Sequence, residues 1–80
     1  MSSKKFEYYI GEIASLLKDY AKKAKAEADN PKEEDSPDFN NGYLMAYYQV
    51  ISTMKNHAPF FDLSEGDIGL ADINPDKDLL

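Results

Sequence analysis

The sequence predicts an all-α fold: an antiparallel helical hairpin with a C-terminal segment of short helical turns packed on the second helix. Apolar residues recur at intervals of three and four through two long stretches. A proline- and acid-rich stretch separates them. No alternating pattern argues for a strand, and Asn41-Gly42 opens a helical pattern without a partner strand. Eighty residues make one domain (1–80), near the lower size limit for a self-sufficient core. A 42% hydrophobic share with 12% aromatics is enough to fold, which excludes wholesale disorder. With no cysteine, neither a disulfide framework nor a thiolate metal site supplements the core.

The first helix is expected over 5–28. Phe6, Tyr9, Ile10, Ile13, Leu16, Leu17, Tyr20, Ala21, Ala24 and Ala28 fall within an arc of roughly 160°. Ser2 or Ser3 is its candidate cap. Lys22, Lys23 and Lys25 lie near its end, where cations favour the helix dipole. Asn30-Pro31 ends it, because proline steers the preceding residue out of the α region. Residues 29–38 carry two prolines, five acids and no apolar residue, an acidic flexible loop. Asp35, Ser36 or Asp38 is positioned to cap the next helix, with Pro37 tolerated in its first turn.

The second helix is expected over 39–58, broken by Pro59. Its apolar residues (Tyr43, Leu44, Ala46, Tyr47, Tyr48, Val50, Ile51, Met54 and Ala58) spread over roughly 200°, wide enough for two neighbours. The first helix is one; the C-terminal segment or a second subunit is the other. Residues 60–80 form an acidic segment in which single aliphatics alternate with acids. Ser64-Glu65-Gly66-Asp67 approaches a capping box and predicts a short helix over about 65–70, weakened by Gly66 and Gly69. Asn74-Pro75-Asp76 is a second start signal. The aliphatics of both turns are expected to lie on the second helix.

The net charge of −6 is unevenly placed. Six lysines against Glu7, Glu12, Asp19 and Glu27 leave residues 1–28 at +2. Lys32 against five acids leaves 29–40 at −4, and Lys55 alone leaves 41–59 at +1. Lys77 against Asp62, Glu65, Asp67, Asp72, Asp76 and Asp78 leaves 60–80 at −5. Phosphate backbones would be repelled by the loop and the tail, so nucleic acid is not the expected ligand. The N-terminal residues lack the apolar core of a signal peptide, and no run approaches the roughly 18 apolar residues of a membrane span. The expectation is a cytoplasmic protein that does not engage a membrane.

Side chains that carry chemistry are sparse. His57 is the only histidine, and its position near a helix end has a plain dipole explanation. Ser52 and Thr53 precede it without a nucleophile elbow or oxyanion loop, so no nucleophilic catalysis is expected. Asp72 to Asp78 superficially resembles half a calcium loop, but Lys77 stands where glycine is needed and no bidentate glutamate follows. Gly66-x-x-Gly69 sits among acids, which disfavours a phosphate cradle. The expectation is therefore no enzyme, no metal and no cofactor. Tyr9, Tyr20, Tyr43 and Tyr47 are expected in core or subunit packing. Tyr8 and Met45, on polar sides of their helices, and Tyr48, at the edge of the apolar arc, are the off-core apolar residues. Candidate partner-binding residues are Asp62, Glu65, Asp67, Asp72, Asp76, Asp78, Met45 and Tyr48, because ordered acids interleaved with apolar anchors suit a basic partner.

The stretch Phe39-Asn40-Asn41-Gly42-Tyr43-Leu44-Met45-Ala46-Tyr47-Tyr48-Gln49-Val50-Ile51-Ser52, followed by Ile68-Gly69-Leu70 and the terminal Asp78-Leu79-Leu80, resembles small acidic helical immunity proteins of bacterial toxin–immunity systems, including contact-dependent growth inhibition. The resemblance covers about half the chain, carries no invariant motif and transfers no residue role. It implies a protein that binds a toxin domain, often a basic nuclease, and blocks its active site. The alternative is a structural or regulatory homodimer that buries the wide face of the second helix against its twin.

Overall fold

The computed structural model describes residues 4–80. Helix α1 spans Lys4–Asp29 and helix α2 spans Pro37–His57. A 3-10 turn over Ala58–Phe61 and a one-turn helix α3 over Pro75–Asp78 follow. No strand occurs among the described residues. The two long helices pack antiparallel, with Tyr20 against Tyr47 and the Asn40 amide donating to the Glu27 carbonyl.

The candidate caps at Ser2 and Ser3 lie outside the described residues. At its other end α1 stops at Asp29, just before Asn30-Pro31, as steric exclusion from the α region requires. The connecting loop is organised by one carboxylate. Asp35 accepts from the Lys32 backbone N–H at 2.9 Å and from the Asn40 amide at 3.3 Å. Of the three candidate caps for α2, Ser36 takes the role, accepting from the Phe39 N–H, with Pro37 in the first turn.

Pro59 ends α2 as an α-helix without ending the coil. The chain continues as a 3-10 turn, since proline's fixed φ is compatible with helical geometry and its missing N–H falls where the pattern changes. Asp62, at φ 58°, closes that turn in the left-handed region. The Leu63 N–H reaches the Ala58 carbonyl and the Asp62 N–H reaches Pro59, the paired bonds of a Schellman stop.

The expected helix over 65–70 is not formed; residues 65–69 make a turn. Both end signals are nonetheless realised. Ser64 and Asp67 exchange reciprocal bonds, with Asp67 Oδ2 accepting from the Ser64 N–H and Ser64 Oγ from the Asp67 N–H. The Leu70 N–H then reaches the Glu65 carbonyl and the Gly69 N–H reaches Gly66, a second Schellman stop with Gly69 at φ 75°. A start and a stop this close leave one turn between them. The second signal gives α3 as expected, its Asn74 cap accepting from the Lys77 N–H.

The C-terminal segment packs on α2 and also reaches α1, running along one side of the hairpin. A Cβ on Gly69 would stand 2.9 Å from the Ala14 Cβ and 3.6 Å from the Gly11 Cα, so small residues on α1 admit the segment's backbone. Further along, Asp72 meets Lys18, and the Leu80 carbonyl meets Lys25. On the other wall Lys55 donates to the Ile73 carbonyl, and Tyr48 donates to Asp76. The segment therefore runs parallel to α1 and antiparallel to α2. Its Ile68, Leu70, Ile73 and Leu79 join Ala14, Ala21, Ala24, Leu44, Ile51 and Ala58 in one core. No polar or charged residue among those described is buried in it.

Candidate functional site

Two surfaces follow from this arrangement, one acidic and one apolar. The acidic surface is built on the C-terminal segment, and all six of its predicted acids are exposed. Three of them also tie the segment to the helices, and two more close its own turns. Asp72 pairs with Lys18 at 2.8 Å, and Glu65 with Lys55 at 3.4 Å. Asp76 accepts from the Tyr48 hydroxyl, Asp67 caps Ser64, and Asp78 accepts from the Asn74 N–H at 2.8 Å. Only Asp62 carries no such bond through its carboxylate. Each bonded carboxylate retains lone pairs facing water, because an ionised carboxylate accepts at about four sites.

Electrostatics follow these bonds. The Lys18 ammonium beside Asp72 holds its carboxyl below the usual carboxylate range. Acceptance by Asp76 pushes the Tyr48 hydroxyl up, because the bond exists only while the phenol keeps its proton. In the loop, the Lys32 N–H and then the Asn40 amide lower Asp35. On the opposite side of α2, the Tyr43 hydroxyl raises Tyr47.

Tyr48 is half-buried and directly joined to the acidic segment, whereas Met45 is exposed three residues earlier, on the same edge of α2. Glu65 and Asp76 bond to Lys55 and Tyr48, seven residues apart on α2, so the acids spread along the hairpin by about 10 Å or more. They form a strip beside a groove. Two shallow clefts open on that strip, one of ≈ 320 Å³ lined by Tyr48, Lys55, Glu65 and Asp76 among others, and one of ≈ 370 Å³ reaching Glu65, Asp72, Lys77 and Asp78.

The apolar surface lies on the side of the hairpin that the segment leaves uncovered. Tyr9, Tyr20 and Tyr43, expected in core or subunit packing, stand outside the protomer core at 61%, 46% and 43% exposure. The reason is one of partners. The segment fills only one side of the hairpin, and the core beneath α1 is made of alanines that draw the helices together. The wider edge of each apolar arc then has nothing to pack on. Tyr9, Ile13, Leu16 and Tyr20 on α1, and Phe39, Tyr43, Ala46 and Val50 on α2, follow the same four-three-four spacing along this edge. Phe39 stacks on Tyr43 at 6.0 Å, Tyr43 meets Tyr47 edge-on at 5.2 Å, and Tyr47 meets Tyr20 at 6.1 Å. An aromatic row thus crosses from one helix to the other. At the far end the His57 ring sits edge-on to Phe60 at 5.4 Å, and Phe60 and Phe61 are among the most exposed residues.

Sequence reasoning left core and subunit packing undivided for these tyrosines, because the three-four spacing marks both alike. No group of three or more metal-ligating side chains converges among the described residues, and no described helix is long and apolar enough to cross a membrane. Comparison of the chain with protein-family models, curated proteins and solved structures gave no match.

Proposed function

We propose that this is a non-catalytic binding protein of the immunity or antitoxin kind, which neutralises a basic, nuclease-like toxin domain by direct contact. One observation carries the reading: five of the six tail carboxylates are held by bonds to the chain's own groups while remaining exposed. Carboxylates already fixed in place lose little freedom when a cation meets them. A strip whose acids outnumber the lysines paired with them also steers an oppositely charged partner and sets its orientation. A groove that a nuclease uses for phosphates offers the complementary charge. Met45 and the ring of Tyr48 supply apolar contact at the edge of the strip. The reading implies residence with the toxin's target in the cytoplasm.

The test must remove charge without releasing the segment. Asp62→Asn with Glu65→Gln meets that condition, since asparagine tolerates the left-handed conformation at 62, and glutamine at 65 keeps an acceptor oxygen for the Lys55 ammonium, which the Ile73 carbonyl also holds. Affinity capture from the source cells, followed by kinetics with the purified partner, is expected to yield one basic protein whose activity is blocked. The double variant should associate several-fold more slowly at low salt with an unchanged helical spectrum. A partner that is not basic, or an association rate indifferent to both salt and the double variant, rejects the reading.

A further inference from the structure

We infer that a second copy of this chain covers the open aromatic face of the hairpin, pairing two α1–α2 hairpins into a four-helix bundle. The molecule is extended for its size. Its accessible surface is 5936 Å², against roughly 4,900 Å² for a compact monomer of this mass. Its radius of gyration is 14.2 Å, against about 12 Å for a compact 80-residue domain. The principal extents of 51 × 21 × 16 Å are those of an elongated rod. The excess surface, about 1,000 Å², is of the order that one partner contributes to a standard stable interface, about 800 Å².

The occupant follows from charge. Leu16 and Tyr20 on α1, and Tyr43 and Val50 on α2, carry no charge, and Lys55 is the only ionised side chain of α2 beyond its first turn. Lys55 points away from this face, to the Ile73 carbonyl and Glu65. A neutral apolar face offers nothing to a basic or acidic partner and is self-complementary. The four-three-four spacing on both helices matches the seam of a helical bundle. A twofold axis through the face would bring two such seams together and direct the two acidic segments outward on opposite sides, where two chains of net charge −6 repel least. The acidic strip proposed to meet a toxin remains free in this dimer, so the two readings stand or fall separately.

Sedimentation equilibrium of the full chain, from about 1 μM to about 1 mM, tests the inference. The expected mass is twice 9.0 kDa over most of that range, with a melting temperature that rises with concentration. Leu16→Glu and Val50→Glu place charges in the seam at positions that are 40% and 44% exposed in the protomer, so helicity should survive. Each should weaken the dimer by roughly a hundredfold. Ala46→Arg, also exposed, gives an independent variant should either glutamate reduce helicity. A monomer at about 1 mM overturns the inference. So does a dimer that folded variants at positions 16, 46 and 50 leave intact.

Discussion

Gly69 is where the C-terminal segment comes closest to α1, and it meets two demands that no other residue type satisfies together. Its φ of 75° lies where a Cβ clashes with its own backbone, and the Ala14 methyl stands 2.9 Å from where that Cβ would be. Gly69→Ala is expected to destabilise the fold by about 1–3 kcal/mol, read from the urea midpoint. Gly42 is the contrast: it lies within α2 with nothing near its missing Cβ. Gly42→Ala should stabilise by about 0.5–1 kcal/mol. Equal effects of the two substitutions would contradict the argument. Titration acts at this scale too. Asp72 is lowered by Lys18, so its contribution is present above its unfolded value, about 3.9, and is lost as pH falls through the folded value. Tyr48 is raised by Asp76, so its contribution is complete below about 10 and is lost as pH rises through the folded value. A stability profile against pH should therefore decline at both ends. Asp72→Asn should flatten the acid limb and Tyr48→Phe the alkaline limb; limbs unchanged by either variant would sink the assignment.

Among the elements, the C-terminal segment contributes more than its four-residue helix suggests. Leu70, Ile73 and Leu79 are three of the four largest fully buried side chains of the molecule; the fourth, Ile51, lies on α2. Beyond Ile51, the two long helices bury only Leu44 and three alanines, too little for a stable helical hairpin. Ile73→Ala should therefore cost about 2–5 kcal/mol and lower the melting temperature of the whole chain in one transition. A loss under about 1 kcal/mol, or a separate early transition for the segment, would show that the hairpin stands alone. The acids of this segment gain a structural meaning from the same fact. The Asp67 and Asp78 carboxylates and the Asn74 amide cap the segment's turns, whereas Asp62 closes the 3-10 turn through its left-handed backbone.

On the scale of the whole molecule, the acidic segment and the aromatic row lie on opposite sides of an elongated hairpin. The acidic segment occupies one side, and α1 supplies Lys18 and Lys25 to hold it there. The other side carries the aromatic row. This separation is what allows one small chain to offer two unlike surfaces, one suited to a basic protein and one to its own copy. It also explains why a low overall pI says little about binding. Of the tail's carboxylates, five are engaged within the chain, so charge counted along the sequence overstates the freely available charge.

Both long helices and most of the local punctuation were determined by the sequence alone. The three-four periodicity, Asn30-Pro31, Ser36-Pro37, Ser64…Asp67 and Asn74-Pro75 act within a few residues of themselves, and the structure realises each of them. Tertiary structure decided which side of each apolar arc became core. Periodicity marks a face as apolar without saying what covers it, and the C-terminal segment covers only one side of the two helices. That segment went to the side where Gly11 and Ala14 admit its backbone and where Lys18 and Lys55 meet its acids and carbonyls. Tyr9, Leu16, Tyr20, Tyr43 and Val50 stay exposed because the segment packs on the other side of the hairpin.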